Sequence, residues 1–151
     1  MATFSIKEEN SIEVAKELLP LLSSHYNEVE EKSSVVGFNV NWELLQSFFD
    51  AGIMCVVVAR VGGKVVGYFA NMVVEDFMTS TLVAREMGLY IDPTYRHTRL
   101  FLKIMNYTTK ALRERGCKVQ HITFKAGHNT ELPLKCGFEH TETTYQKVLE
   151  G

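Results

Sequence analysis

Two apolar runs, "IMCVVVARV" and "KVVGYFANMVV", flank the Gly62-Gly63 pair, and this feature limits the possible folds more than any other in the chain. Both runs are rich in β-branched residues, and Gly-Gly supplies the positive φ angles that a two-residue hairpin turn requires. The chain must therefore build an antiparallel sheet around a long central hairpin. With 151 residues and 46% hydrophobic content, one domain spanning 1–151 can enclose that sheet in a sizeable core.

Helices and strands alternate around the hairpin. "TFSIKE" reads as a short strand. "NSIEVAKELLPLLSSHY" follows as a helix, with Asn10 as N-cap and Glu13 three residues on, and Pro20 should kink or split it. "NEVEEKSSVVGF" reads as a loop or lid, and "NWELLQSFFDAG" as a helix capped by Asn41 and stopped at Gly52. "LVAREMGLYI" is a strand whose interior Gly88 marks a bulge. Past Pro93, residues Leu100, Phe101, Ile104, Met105, Thr108 and Leu112 form the buried stripe of a long helix ending at "RERG". "VQHITF" then gives a strand, "NTELPLKC" a short helix, and "GFEHTETTYQKVL" a strand or closing hairpin.

Charge and cysteine usage exclude several classes. The formal net charge of -2 gives no basic field for nonspecific nucleic-acid binding. Cys55, Cys117 and Cys136 are widely spaced and odd in number, which suits a reducing compartment better than a disulfide scaffold. The start "MATFSIKEEN" has no signal-peptide pattern and no run approaches a membrane span, so the chain is read as cytoplasmic. His25, His97, His121, His128 and His140 include no H-x-x-x-H pair and join no cysteine pair, so no metal is expected.

"IDPTYRHTRLFLKI" is where strand, turn and helix start meet. A helix N-terminus offers unpaired N–H groups and a positive dipole end, and Arg96 and Arg99 add forked donors suited to phosphate, with Lys103 one turn further on. The plain alternative is a set of surface residues opening an ordinary helix.

The element order, the Pro-x-Tyr-Arg turn, the helix ending at Gly116 and "KCGFEHTETTYQKVL" together resemble the GNAT superfamily of N-acetyltransferases over nearly the whole chain. "LLPLLSSHYNEV", "VGYFANMVV" and "AREMGLYIDPTYR" are similar to its phage-encoded branch, which would place the protein in a host cytoplasm. The resemblance implies an α/β (α+β) fold: a mixed, mostly antiparallel sheet of six or seven strands, about four flanking helices, and splayed fourth and fifth strands. It also implies acetyl-CoA as cofactor, bound by Arg96, His97, Thr98, Arg99, Leu100 and Phe101 at the helix start, by the backbone of Leu89 and Ile91, and by Asn129. The family's small loop residues are missing here, with Arg99 and Phe101 in their places, yet every residue from His97 to Phe101 keeps its N–H.

Acetyl transfer needs a proton acceptor, donors for the oxyanion and a proton for the thiolate. Glu86 is the candidate base, against the plain reading of a paired surface carboxylate. Bulge geometry at Gly88 would free an N–H for the thioester carbonyl. The family's usual tyrosine before Gly-Phe is absent; Tyr90 and Tyr145 are candidate replacements, and Tyr90 is taken as catalytic. His25 and Glu28 lie in the segment that the family uses to shape its acceptor pocket, and the run Glu28, Glu30 and Glu31 would favour a cationic amine if it lined the cleft. Cys136 is read as packing. The expected partner is an amine-bearing small molecule or protein; no nucleic acid or membrane partner is expected, and a homodimer is left open. The rival reading is an inactive binding protein on the same fold, acting through protein–protein contacts.

Overall fold

The computed structural model describes residues 3–30, 37–125 and 131–149. Its strands are β1 (Ser5–Glu8), β2 (Met54–Val61), β3 (Lys64–Glu75), β4 (Leu82–Ile91) and β5 (Val119–His121). The helices are α1 (Ile12–Glu17), α2 (Leu19–His25), α3 (Trp42–Asp50), α4 (Leu100–Glu114) and α5 (Glu131–Lys135), and a π-helical turn, Tyr26–Glu30, extends α2. The strands form one sheet in sequence order, β1 to β5. The first three pairings are antiparallel and β4–β5 is parallel.

Gly62 (φ 56°) and Gly63 (φ 82°) make the expected turn between β2 and β3, a backbone that side chains with a Cβ rarely adopt. Alternation along β2, and along β3 with a bulge at Val66, then sorts side chains to two cores. Cys55, Val57, Ala59, Val66 and Phe69 meet Leu100, Ile104, Met105 and Leu112 of α4 on one face. Met54, Val56, Val58, Tyr68 and Tyr90 meet Leu18 and Leu21 on the other. Ion pairs pin the edges: Arg60 forks onto Glu9 and Glu17, while Arg115 binds Glu8 and the Met54 carbonyl.

Local reading of the sequence succeeded where one side chain decides. Asn41 accepts the Leu44 N–H at 3.0 Å, as an N-cap should. The break between α1 and α2 falls at Leu18, with Pro20 in the first turn of α2, where its missing N–H costs nothing. The cap of α1 is Ser11, not Asn10, because Asn10 is drawn to the sheet, where its Oδ1 accepts the Val56 N–H at 2.8 Å.

Two features differ from expectation. The sheet has five strands among the described residues, not six or seven, and there are five α-helices rather than four. Residues 138–149 form no ladder. β5 is only three residues long and offers little template, and Tyr145 and Leu149, which a strand would half-bury, are each 89% exposed.

Candidate active site

The site begins with a fault in β4. Ala70 opposes Gly88, but the next residue, Asn71, opposes Glu86, so Met87 is an extra residue without a cross-strand partner. This is the bulge expected near Gly88, and it reverses which side chains reach each face beyond it. Before the bulge Ala84 packs toward α4; after it Leu89 and Ile91 do so, and Tyr90 turns to the α2 face.

β4 is also where the sheet opens. Its parallel pairing with β5 covers Val83, Ala84 and Arg85 and ends there. The Asp92 N–H donates to the Val66 carbonyl at 2.8 Å, and hydrogen-bonded pairs alternate in an antiparallel ladder. Tyr90 is therefore bonded inward to β3, while Leu89 and Ile91 turn their N–H and C=O groups to the edge that β5 has left. These are the two residues assigned to the arm of the cofactor.

α4 starts beside this edge. Arg99 is its N-cap and makes no side-chain cap bond. Thr98 instead accepts the Leu100 N–H at 3.2 Å, leaving the amides of Phe101 and Leu102 pointing out of the helix end without intrahelical partners. Leu100 is fully buried, and Phe101 packs against the core on the α4 side, so its ring does not fill the turn where a small residue was expected. His97, Thr98 and Arg99 are exposed, and Arg99 has no ion-pair partner among the described residues. Lys103 lies 5.6 Å over the Phe4 ring. Asn129 lies outside the described residues, as does Glu31.

Arg96 is placed differently from Arg99. Its Nε donates to the Ile91 carbonyl at 2.8 Å, and its two terminal nitrogens clamp Glu28 at 2.5 and 2.7 Å. Three of its five donors are thereby committed to the protein. The Glu28 carboxylate also accepts the Tyr90 O–H at 2.8 Å. Tyr90 stacks on His25, with ring centres 5.3 Å apart and planes 13° apart, and His25 Nδ1 shares a 2.6 Å hydrogen bond with the Tyr68 hydroxyl. One continuous chain of contacts thus runs from Tyr68 through His25, Tyr90 and Glu28 to Arg96 and the β4 edge.

The charges in this chain respond to one another. The Arg96 guanidinium holds the Glu28 carboxyl down to about 2, against the desolvation that would raise it. Burial raises the Tyr90 phenol and the Glu28 bond raises it further, so Tyr90 stays protonated and donates.

On the α2 face the bulge floors a cavity of about 410 Å3. Ala15, Leu18, Leu22, Phe38, Leu45, Phe49, Met54, Val56, Ala70 and Met87 give it apolar walls, and His25, Tyr26 and Tyr68 bring the polar atoms of its side chains. Glu28 is not in the lining, because Arg96 and Tyr90 hold it, and the Glu30 side chain is outside what is described. Glu86 is half-buried one residue before Met87 and is likewise not in the lining. Its register partner is Asn71, which is fully buried. Cys136 packs against the α4-side core, and burial pushes the Cys55 thiol up to about 12, too high for a nucleophile. Among the described residues no group of His, Cys, Asp and Glu is arranged to hold a metal ion, and no helix is long and apolar enough to cross a membrane.

Tyr68 and the ring of large apolar side chains around the cavity were not singled out from the sequence. Val66 is an extra residue between the pairs Ala59–Gly67 and Arg60–Val65, and this bulge puts Val66 and Tyr68 on opposite faces of β3, where plain alternation would have put them together; neither that face nor the His25 partner 43 residues away could be read from spacing.

No curated protein sequence matches the chain. Among solved structures it is similar to an aminoglycoside acetyltransferase from an uncultured soil metagenomic sample, in complex with sisomicin, with 16% identity, a TM-score of 0.77 and 97% of each chain covered. It is also similar to a ribosomal-protein-alanine N-acetyltransferase from Brucella melitensis biovar Abortus 2308, at 13% identity and a TM-score of 0.74, covering 99% of this chain and 98% of that one. A third is glucosamine-6-phosphate N-acetyltransferase from Arabidopsis thaliana, at 17% identity and a TM-score of 0.71, covering 98% of this chain and 99% of that one. These likenesses concern the fold alone. The sequence profile of the acetyltransferase (GNAT) family matches residues 16–138, and the chain belongs to that family.

Proposed function

We propose that the protein is an acetyl-CoA-dependent N-acetyltransferase in which a primary amine attacks directly within a ternary complex. The observation that carries this reading is the junction at β4. Outward-turned backbone groups of Leu89 and Ile91, the bulge at Met87 and the first amides of α4 lie on one side, and an apolar-walled cavity meets the same bulge from the other. A long thioester and a compact amine could thus meet at one point.

Acetyl-CoA, when bound, supplies an activated acyl group. Leu89 and the Ile91 N–H would hold its arm as an added strand would be held, and Arg99 with the Phe101 and Leu102 amides would face its phosphates. The Met87 amide at the bulge would donate to the carbonyl oxygen, the role of an oxyanion donor. His25 and Tyr68 would orient the amine, and Glu86, which is outside the cavity lining, would take its proton through a bridging water as the N–C bond forms. Tyr90, kept protonated, returns a proton to the departing thiolate. Glu28 acts through Tyr90 and Arg96 and is a positioning residue.

Thermal melting with and without acetyl-CoA tests the reading. Ligand at about 100 times its Kd stabilises by roughly 2.7 kcal/mol, a shift of several degrees for a domain of this size. Free-thiol release in the presence of an amine then reports transfer. Glu86→Gln should cut turnover about a hundredfold at neutral pH, with partial recovery toward pH 9, where the amine arrives deprotonated; unchanged turnover would remove Glu86 from the mechanism.

One observation favours a second reading. Arg96 is spent on Glu28, and with the small loop residues gone the phosphate site rests on Arg99 and backbone alone. A binding protein that no longer takes the cofactor would show no melting shift at millimolar acetyl-CoA.

A further inference from the structure

We infer that the acceptor is a primary amine carried on a compact apolar body, aromatic or aliphatic, and not a polycation. This rests on the transferase reading and specifies the occupant of its cavity. The volume of about 410 Å3 lies in the range of small-molecule sites. Its walls are Leu18, Leu22, Phe49 and Met54 from below and Phe38 and Met87 at the rim, with no Asp, Glu, Lys or Arg side chain in the lining among the described residues.

Glu28 is the described member of the acidic run nearest the cavity, and its oxygens receive Arg96 twice and Tyr90 once. A second or third ammonium on the acceptor would meet apolar side chains over most of the described lining, and unpaired burial of charge is costly. A single amine is in a different position. Apolar walls disfavour its charged form and lower its pKa, so the same surroundings that bind the body help produce the neutral nucleophile. His25 and Tyr68, joined at 2.6 Å beside Gly88, give that nitrogen its polar contact where the cavity meets the bulge.

Calorimetric titration of the purified protein with 2-phenylethylamine, hexylamine and spermidine, in the presence and absence of coenzyme A, tests the inference. The two apolar amines should bind at least tenfold more tightly than spermidine. Met87→Glu, at a rim position already 42% exposed, should reduce that preference at least tenfold. Ala70→Leu, which fills the floor, should weaken the apolar amines at least tenfold and leave acetyl-CoA affinity unchanged. Spermidine binding as tightly as the apolar amines, or apolar amines indifferent to Ala70→Leu, would overturn the inference. The transferase reading has its own readout: thiol release fastest with spermidine would reject the acceptor class and keep the reaction. Apolar amines bound as expected without any acetyl-CoA binding would keep the class and reject the reaction.

Discussion

Replacing Glu28 by Gln removes one charge from the centre of the Tyr90–Glu28–Arg96 chain and has a calculable consequence. The folded carboxyl sits at about 2 against an ordinary value of 4.5. A depressed carboxylate contributes stability that is complete above the unfolded value and is lost as pH falls through the folded one. The window is therefore pH 4.5 down to about 2. Taken at face value the shift is worth roughly 3 kcal/mol. The two side chains are 36% and 41% exposed, however, so solvent screening reduces the contribution to about 1 kcal/mol. For a chain of this length that is a fall in Tm of roughly 2–4 °C. Urea midpoints for wild type and Glu28→Gln should differ by a constant amount from pH 7 to pH 5, and the gap should narrow progressively below pH 4.5. A gap that persists undiminished at pH 3 would show that Glu28 acts through packing or neutral hydrogen bonds. No gap at pH 7 would show that the clamp on Arg96 contributes nothing.

Arg99→Glu should weaken acetyl-CoA binding about tenfold or more, since a charged hydrogen bond is worth roughly 1.5–3 kcal/mol; titration calorimetry reads this directly, and unchanged affinity in the folded variant would move the phosphate site elsewhere. Gly88→Ala should leave the fold intact or stabilise it by about 0.4–1 kcal/mol, because its φ is not positive and the added methyl would meet Tyr68 and His25 carbons at 3.4 and 3.5 Å, which is ordinary contact. The same methyl stands where the acetyl and amine groups must meet, so turnover should fall roughly tenfold to a hundredfold, and a fully active Gly88→Ala would displace the reaction centre from the bulge.

Features decided within a few residues were legible in the sequence. The Gly62-Gly63 turn, the Asn41 cap and the buried stripe Leu100, Ile104, Met105, Thr108 and Leu112 each follow from local chemistry or a single periodicity. Gly88 marked the bulge because glycine has few other reasons to interrupt a strand. The partnerships among the candidate residues were not legible. His25, Glu28, Tyr90 and Arg96 were all singled out, but as members of separate substrate, catalytic and cofactor sets. Their contacts span 62 and 68 residues of sequence, and no spacing rule reaches that far. Arg96 is the instructive case. As a forked cation at a helix start it suits a phosphate, and only the fold shows an internal carboxylate reaching it first. The strand or closing hairpin expected over "GFEHTETTYQKVL" does not form, because strand propensity expresses itself only where a neighbouring strand offers a ladder.

The departure of β5 from β4 after Arg85 leaves a strand whose outward amides and carbonyls face no other strand among the described residues. Such an edge is an invitation to any other extended chain, including another copy of the same protein, and natural sheets guard against it with charge or obstruction. Arg96 provides both here. By donating to the Ile91 carbonyl it occupies one docking point of the edge, and it fixes a cation beside that point, where an incoming backbone would have to displace it. The tether from Glu28 keeps that guard in place. Loosening it would therefore expose the protein to self-association through β4.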